Sequence, residues 1–332
     1  MNAPPKRYRA SGRIVVPLMT EWITARVARI TADGDRVRII GLEHAEGQAL
    51  PAYTAGAHID VHAGGHVRQY SLTRPSGIDG YEIGVLLDEG SRGGSAFMHQ
   101  ACVGDLLRIS GPRNLFPLAQ DTGRSLLIGG GIGITPLLAM AGTLFDEGRS
   151  FELHYCARSR SAAAFLDRLE RAPWADHVHL HFDDGADGQR LSLETVLVRS
   201  GARHLYVCGP SGLNNAVLDA ARGAGWAEAS LHWEAFAASP PARSAVEPFE
   251  VQIASTGRII TVGRDESVAD ALARHGIGVD LSCGQGICGA CVTGVISGTP
   301  EHNDYILTDE ERSRCFTPCC SRARTPRLVL DL

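Results

Sequence analysis

The chain has 332 residues, of which 44% are hydrophobic and 21% charged, and its formal net charge is −5 at pH 7. This length exceeds what one core usually supports, so we expect two or three domains. No apolar run approaches the roughly 20 residues of a membrane helix, and the charges are interspersed, which argues against a membrane span and against a basic nucleic-acid-binding face. The nine cysteines, an odd number without an apolar leader segment, suit a reducing cytoplasm better than a disulfide framework.

The first part of the chain, residues 1–118, has the pattern of an antiparallel β-barrel. Short β-like segments are separated by Gly, Pro and Asp, and no long helical period interrupts them before Gly93. The clearest segments are 22–30, 37–42, 58–61 and 81–87.

One polar segment within this region stands out: Arg68, Gln69, Tyr70, Ser71, Leu72 and Thr73. Strand alternation would place Arg68, Tyr70 and Leu72 on one face and Ser71 and Thr73 on the other, as in an ordinary barrel strand. Further along, Gly93, Gly94 and Ser95 precede a short helix-like stretch. A helix start can hold a phosphate, with the Ser95 hydroxyl as a donor.

The middle of the chain contains a strand, a glycine turn and a helix start. The apolar run 125–128 is followed by Gly129-Gly-Gly-Ile-Gly133-Ile-Thr135-Pro136 and then by the apolar stretch 137–144. Glycines let a backbone approach a pyrophosphate closely, and the next helix presents free N–H groups to the anion. Glycines in such a turn can also serve packing alone.

Further strand-like runs follow at 151–155 and at 204–207, and the second leads into Cys208, Gly209 and Pro210. This alternation of strands and helices predicts a doubly wound α/β domain over residues 119–236, with ligands at the carboxyl ends of the strands. Cys208 alone could equally be a buried core thiol.

Near the C-terminus, Cys283, Cys288 and Cys291 have the C-x4-C-x2-C spacing that precedes a distant fourth ligand in [2Fe–2S] proteins. A structural zinc is the alternative, but zinc sites usually pair two cysteine knuckles and only one C-x2-C occurs here. Three downstream cysteines could supply the fourth thiolate: Cys315, Cys319 and Cys320.

These motifs together resemble a known superfamily. The Arg-x-Tyr-Ser-Leu segment and the Gly-Gly-x-Gly-x-Thr-Pro and Cys-Gly-Pro turns resemble those of the ferredoxin–NADP reductase superfamily, and residues 247–332 look like a plant-type ferredoxin of α+β fold. The resemblance implies that Arg68 faces a flavin phosphate, while Tyr70 and Ser71 touch the flavin ring. Gln69, Leu72, Thr73, Gly93, Gly94 and Ser95 complete the implied flavin site.

The same resemblance implies that Gly131, Gly133, Thr135 and Pro136 form the pyrophosphate loop. Cys208, with Gly209 and Pro210, would lie beside the nicotinamide. In ferredoxins fused to reductases, the last cluster ligand commonly lies in a Cys-x-Ser-Arg sequence, which selects Cys319 over the runner-up Cys315 and makes Cys320 the x residue.

The order of flavin barrel, nucleotide domain and C-terminal ferredoxin resembles the phthalate dioxygenase reductase family. His232-Trp-Glu-Ala-Phe236 looks like the family's ending of the nucleotide domain, which would set Phe236 against the flavin, although a core aromatic is an equal interpretation. The small residues and prolines of 237–246 suit a linker. We therefore expect a multidomain chain: barrel 1–118, nucleotide domain 119–236, linker 237–246 and ferredoxin domain 247–332.

By this resemblance the chain is the reductase component of an oxygenase system. It would take a hydride from NADH onto FMN and pass single electrons through a [2Fe–2S] cluster to a separate Rieske-type oxygenase in the cytoplasm. Ser71, Cys208 and Phe236 are its candidate residues at the site of hydride transfer. Hydride transfer needs no general acid or base, so Glu82, Glu89 and Glu234 are expected to be solvated or structural.

Several alternatives stay open at this point. A non-catalytic iron–sulfur sensor with decayed flavin and nucleotide sites is one, and the same reductase serving a cytochrome P450 is another. Arg158 and Arg160 follow the second strand of the nucleotide domain, where an arginine could meet the 2′-phosphate of NADPH or remain a surface charge. FAD instead of FMN would need adenine contacts that no segment identifies.

Overall fold

The computed structural model describes residues 9–10, 13–14, 22–34, 36–75, 80–88, 93–185, 189–236, 247–281, 284, 286–287 and 289–332. Its contacts divide the chain into two compact units. The larger is Glu21–Phe236, and the smaller combines Met1–Thr20 with Ala237–Leu332. Within the described part of the chain, no helix is long and apolar enough to cross a membrane.

Antiparallel strands form the first sheet of the larger unit, which follows the short paired strands β1 (Arg9–Ala10) and β2 (Arg13–Ile14). The sheet consists of β3 (Trp22–Asp33), β4 (Val37–His44), β5 (Ala57–Ala63), β6 (His66–Ser71), β7 (Tyr81–Leu86), β8 (Leu106–Ser110) and β9 (Arg113–Asn114). Its order is β6-β5-β8-β3-β4-β7, with β9 on β5. A bridge between Leu72 and Ile83 joins the two ends of this order, so the sheet closes into the predicted barrel.

Alternate residues of the barrel strands fill its interior. Ile59 and Val61 on β5 and Ile83 and Val85 on β7 are fully buried in one apolar cluster. The helix α1 (Gly94–Gln100) adds Met98 to the same cluster. The barrel therefore has a packed apolar core.

The second sheet of the larger unit is parallel. Its strands are β10 (Ser125–Gly130), β11 (Phe151–Ala157), β12 (Val178–Phe182), β13 (His204–Cys208) and β14 (Leu231–Glu234). Between them lie α2 (Ile134–Asp146), α3 (Leu166–Arg171), α4 (Leu193–Arg199) and α5 (Ser211–Gly223), with 3-10 turns at Gly131–Gly133, Ala175–His177 and Glu228–Ser230. The order β12-β11-β10-β13-β14 has the first strand in the centre and confirms the doubly wound α/β fold.

Helices cover both faces of this sheet, which explains why β10 and β13 read as continuous apolar runs. Leu127 and Tyr206 belong to the cluster that contains α2, whereas Leu126 and Val207 belong to the cluster that contains α5. The two clusters hold the central strands so that their carboxyl ends form one edge.

The smaller unit has the α+β fold expected of the ferredoxin segment. Its elements are β15 (Phe249–Ile253), β16 (Ile259–Val262), α6 (Val268–Arg274), β17 (Thr293–Ser297), β18 (Pro300–Glu301), α7 (Asp309–Arg312), β19 (Cys315–Phe316), β20 (Arg322–Ala323) and β21 (Arg327–Leu330). The mixed sheet runs β16-β15-β21-β17-β19, and β18 pairs with β20. Ser267 caps α6 by accepting a hydrogen bond from the Asp270 N–H, and Leu272 of this helix packs on the sheet core.

The predicted division of the larger unit at residue 118 remains a prediction. The linker predicted over 237–246 lies outside the described residues.

Candidate functional site

The centre of the candidate site is a buried carboxyl group at the carboxyl edge of the parallel sheet. Glu234 ends β14, where it pairs in register with Cys208 of β13. From the barrel, His58 Nδ1 lies 3.9 Å from Glu234 Oε1, and His58 pairs in register with Ser71. The two sheets thus bring Ser71, Cys208 and Glu234 to one place.

These groups are uncharged at neutral pH. Burial raises the pKa of Glu234 to about 8, and the nearby Ser71 hydroxyl only partly opposes that rise. Burial, with a smaller contribution from the Glu234 charge, also raises the pKa of the Cys208 thiol well above its ordinary value. A protonated carboxyl group can donate a hydrogen bond as well as accept one, and a buried thiol offers a neutral surface.

Several polar atoms of this site have no hydrogen-bond partner of acceptable geometry among the described residues. They are Ser71 Oγ, Glu234 Oε2 and Asn214 Oδ1. Asn214 itself is held in place, because its Nδ2 donates to the Glu234 carbonyl over 2.9 Å. Unpaired buried polar atoms are costly, so their concentration here indicates a ligand with its own donors and acceptors. The polar edge of a flavin ring fits this requirement.

Glu234 is not solvated as a surface charge would be, because its side chain is only 15% exposed and burial raises the pKa of its carboxyl group. Whether it is structural or faces a ligand stays a prediction, which its unpaired Oε2 atom favours for a ligand. The one sequence feature that could have pointed to it is its place in the His-x-Glu-x-Phe ending. Glu82 is also buried, but it is bound by arginines and is structural, and Glu89 lies outside the described residues.

The predicted flavin strand separates into residues that face different surroundings. Gln69 Nε2 donates to Asp60 Oδ1 over 3.2 Å, on the face shared with Ser71, whereas Tyr70 and Leu72 pack on the barrel core. Leu72 is fully buried, so a cofactor could reach only its backbone. Thr73 donates its hydroxyl proton to Glu82 Oε1 over 2.5 Å and belongs to the Glu82 cluster rather than to the group around Ser71.

The residues predicted to hold the flavin phosphate lie together. A Cβ atom on Gly94 would come within 2.8 Å of Arg68 Cγ and Nε, so only glycine lets the α1 start approach that side chain. Gly93 has φ +109°, which also favours glycine. The Ser95 hydroxyl already bonds the Asp88 backbone, accepting from its N–H over 3.2 Å and donating to its carbonyl over 3.4 Å. The phosphate role of these residues remains a prediction.

The glycine turn after β10 is pressed against the Cys208 turn. A Cβ on Gly133 would lie 2.2 Å from the Cys208 carbonyl oxygen, and a Cβ on Gly130 would lie 3.0 Å from Pro210 Cδ. The Gly209 backbone occupies the same contact, because a Cβ there would lie 3.1 Å from Gly130 Cα. The close packing of the two turns therefore requires these glycines, whatever ligand they bind.

The remaining residues of the predicted pyrophosphate loop divide by role. Gly131 has φ +54° and open space where a side chain would stand, and α2 begins without a side-chain cap, so this edge suits an anion. Thr135 instead donates its hydroxyl proton to the Ile132 carbonyl over 2.9 Å, and Pro136 is buried in the first turn of α2. Phe236, at the end of the larger unit, is 38% exposed, and its contact with the flavin remains a prediction.

In the smaller unit, the predicted ligands Cys283 and Cys288 lie outside the described residues. Gly284, Gly286 and Gly289 have φ of +66°, +72° and +70°, as expected of a loop that turns tightly around a cluster. Cys291, which follows them, is buried. The loop geometry and a thiolate donor set fit a [2Fe–2S] cluster.

The three downstream cysteines differ in their surroundings. Cys315 is buried in β19, where it pairs with Gly294, and Cys319 is half-buried. Cys320 contacts Thr317 Oγ1 at 3.2 Å, and a Cβ on Gly286 would meet its sulfur at 2.4 Å. Hydrogen bonding from Cys319 lowers the pKa of Cys320. Cys319 as the fourth ligand stays a prediction.

Comparison with known proteins agrees with this arrangement. Residues 251–324 match the model of the 2Fe-2S iron-sulfur cluster binding domain family. The chain is 51% identical over 302 residues to vanillate O-demethylase oxidoreductase of Pseudomonas sp. strain HR199, covering 89% of this chain and 95% of the relative. The structure of phthalate dioxygenase reductase superimposes with a TM-score of 0.73 at 34% identity, covering 94% of this chain and 98% of that one. The chain belongs to the phthalate dioxygenase reductase family.

It is therefore the reductase component of an oxygenase system, with a flavin, NADH and a [2Fe–2S] cluster as its cofactors, and FMN as the flavin stays a prediction. Its relatives are reductase components of oxygenase systems, so the interpretation as a non-catalytic sensor is set aside, and the type of oxygenase that this chain serves stays a prediction. A self-sufficient cytochrome P450 monooxygenase also matches, with a TM-score of 0.80 at 36% identity over 94% of this chain and 41% of the P450 chain. Relatives named for other oxygenase systems are 37–40% identical.

Proposed function

We propose that this reductase supplies electrons to an oxygenase that removes the methyl group of vanillate, a methoxylated hydroxybenzoate. The proposal is based on a difference in sequence identity between two groups of relatives. Vanillate O-demethylase oxidoreductases of two Pseudomonas and one Acinetobacter are 51%, 52% and 45% identical, above the 37–40% of reductases named for other systems. A reductase adapts to its partner's surface, so this difference favours the vanillate system.

In the proposed reaction the oxygenase uses one O₂, and NADH supplies two electrons through the reductase. One oxygen atom hydroxylates the methoxy carbon, which leaves as formaldehyde when the C–O bond breaks. The aromatic oxygen takes the proton of the hemiacetal hydroxyl and becomes a phenol, and the second oxygen atom takes up the two electrons and two protons and leaves as water. The reductase takes part only as the electron source and never contacts the aromatic substrate.

The proposed roles of the chain's own residues follow from the site. Ser71 and the protonated Glu234 would hold the polar edge of the flavin ring, and buried Cys208 would give the nicotinamide an uncharged surface without water. The open edge at Gly131 and the α2 start would hold the pyrophosphate. The bound flavin accepts the hydride of NADH and releases the electrons singly.

A cytoplasmic location is part of the proposal. No disulfide joins the described cysteines, and several of them belong to the predicted cluster site, which requires reduced sulfur. NADH is also available there.

Reconstitution tests the proposed partner. The purified reductase is combined with the oxygenase component of a vanillate O-demethylase, vanillate and NADH, and formaldehyde release is measured. Parallel reactions use the oxygenase components of the carnitine and toluene-4-sulfonate systems with their substrates, and a cytochrome P450. We expect the vanillate system to be supported at least about tenfold better at equal reductase concentration, a difference of about 1.4 kcal/mol in coupling.

The matched control is Cys319→Ser, which should keep NADH-driven reduction of a two-electron dye and lose formaldehyde release. Equal or better support of another oxygenase would overturn the vanillate assignment. It would leave the reductase activity intact.

A further inference from the structure

A second cluster of polar side chains lies on the nucleotide sheet, away from its carboxyl edge. Glu152 and His154 alternate along β11, and His179 and His181 alternate along the edge strand β12. His154 pairs in register with His179, so all four side chains lie on one face. On its other side His154 pairs with Ile128, two residues before the end of β10, so the cluster is not part of the glycine turn.

Three of these residues could hold one ion. The ligand atoms of Glu152, His154 and His179 lie within 4.8 Å of one another. His154 is buried and His179 is exposed, so the group has one anchored imidazole and one that can rotate. The two rings stack with their centroids 4.7 Å apart.

Hydrogen bonds determine which nitrogen of His154 is available. His181 Nδ1 lies 2.9 Å from the Gln189 carbonyl, which can only accept, so Nδ1 carries the proton. In the neutral ring, His181 Nε2 is then an acceptor. His154 Nδ1 lies 3.0 Å from it and must donate, which leaves His154 Nε2 with a free lone pair.

This lone pair is buried and has no hydrogen-bond partner among the described residues. The closest charged atom across from it is Glu152 Oε2 at 3.7 Å, which is itself an acceptor. The other carboxylate oxygen of Glu152 accepts a hydrogen bond from Arg124, which fixes the carboxylate. Two acceptors that face each other, one of them buried and the other 26% exposed, are satisfied by a cation between them.

We propose that Glu152, His154 and His179 bind a divalent transition-metal ion of the Zn²⁺ class. Zn–N and Zn–O bonds of about 2.05 and 2.1 Å at a tetrahedral angle separate the two ligand atoms by about 3.4 Å. The observed 3.7 Å between His154 Nε2 and Glu152 Oε2 is close to that value. Rotation of exposed His179 would bring in the third ligand, and water would take the fourth position.

His181 is a positioning residue in this site. Its hydrogen bond sets the tautomer of His154, as outer-shell partners of metal-ligating histidines commonly do. Arg124 holds the carboxylate in the same way, although its positive charge weakens the attraction for a cation. A bound ion would join the edge strand β12 to β11 and so stabilise the sheet.

The test uses the full-length holoprotein, with flavin and cluster absorption checked before and after. Zn²⁺ binding is measured by equilibrium dialysis and elemental analysis, with iron as the internal standard, and thermal unfolding is followed with and without Zn²⁺. We expect a single Zn²⁺ ion per chain and a higher Tm in its presence. His179→Ala and Glu152→Gln should abolish both effects.

Two further variants separate a metal site from a structural cluster. His181→Gln should weaken Zn²⁺ binding by about tenfold to a hundredfold while the protein stays folded. His177→Gln, on the same edge but stacked on Phe151 with centroids 4.8 Å apart, should bind Zn²⁺ as the wild type does. No Zn²⁺ retained by wild-type protein, or equal binding by His179→Ala and Glu152→Gln, would overturn the proposal.

Discussion

The larger unit contains two desolvated glutamates with opposite surroundings, Glu82, which is buried, and Glu234, whose side chain is 15% exposed. Glu82, in β7, has Arg29 at 2.7 Å, Arg74 at 3.2 Å and Arg168 at 2.5 Å. Burial alone would raise its pKa, but the charge of Arg168 and a hydrogen bond from Thr73, among other contacts, hold that pKa below its usual range. The carboxylate is charged and fully satisfied. Its contact with Arg168 links α3 of the nucleotide domain to β7 of the barrel.

Glu234 has no such compensation. The charged or titratable group nearest to it among the salt-bridge contacts is His58 at 3.9 Å, and burial raises its pKa to about 8. Its Oε2 atom lacks a partner among the described residues. Burial of a carboxyl group therefore does not by itself define its role. A carboxyl group surrounded by cations holds the fold together, whereas one left neutral and unpaired is available to a ligand.

The largest expected effect comes from removing the satisfied carboxylate. Glu82→Ala should destabilise the protein by about 3 kcal/mol, because it leaves a group of arginines close together without their anion. This loss is at the low end of that expected for breaking a buried ion pair, since the arginine side chains are 30–51% exposed and water can screen them. Urea unfolding of the larger unit measures the change.

The matched control is Glu43→Ala, at an exposed position of the neighbouring strand β4. It should change the unfolding free energy by less than about 0.5 kcal/mol. If the two variants unfold alike, the arginine cluster does not stabilise the fold as described.

Glu234 should make stability depend on pH in the opposite direction to a salt-bridged acid. Its folded-state pKa, about 8, exceeds the ordinary value of 4.5, so the folded state holds the proton that the unfolded state has lost. Stability from this group is present below pH 4.5 and is lost as the pH rises towards 8. In flavin-free protein, Glu234→Gln should remove this loss, which proton linkage puts at about 3 kcal/mol between pH 5 and 8.

Thermal unfolding of wild type and Glu234→Gln across that pH range provides the measurement. The two curves should meet near pH 5 and separate above it, with the variant more stable. A constant offset at all pH values would mean that Glu234 does not titrate in this window.

The smallest expected effects concern two neighbouring hydroxyl groups, that of Ser71 beside Glu234 and that of Thr73 beside Glu82. Ser71→Ala should slow flavin reduction by NADH about tenfold, equivalent to about 1.4 kcal/mol, and leave stability nearly unchanged, because its Oγ makes only a weak interaction, with the neutral Glu234 carboxyl. Thr73→Val should cost about 1 kcal/mol of stability through the lost bond to Glu82 and leave flavin reduction unchanged. Stopped-flow reduction and urea unfolding of both variants check the pair. If Ser71→Ala lowered stability and Thr73→Val slowed flavin reduction, the roles assigned to the two hydroxyls would be wrong.

The sequence predicted those parts of the molecule whose chemistry is local. The first three cluster cysteines and the glycine turn each lie within a short segment, and the doubly wound sheet follows from apolar runs in a fixed alternation. Fold class and cofactors could therefore be predicted before the structure. The family comparison then confirmed them.

The surroundings of Glu82 and Glu234 could not be predicted, because the residues that contact them come from distant segments of the chain. Arg168 donates a hydrogen bond to Glu82, which lies 86 residues away in the sequence. Ser71 and Glu234 belong to different sheets and come close only because the two sheets pack together. Nothing in the sequence around either glutamate shows which will receive arginines. The sequence offered packing as one role of the glycine turn but could not name the partner of Gly133, whose missing side chain makes room for the Cys208 carbonyl.

An anaerobic NADH titration of wild type and Cys319→Ser, followed by visible absorption and low-temperature EPR, tests the electron path most directly. In the wild type, loss of flavin absorption should be followed by the EPR signal of a reduced [2Fe–2S] cluster. In Cys319→Ser, the flavin should be reduced at the same rate and the cluster signal should be absent. A wild-type cluster that stays oxidised while the flavin is fully reduced would contradict the account.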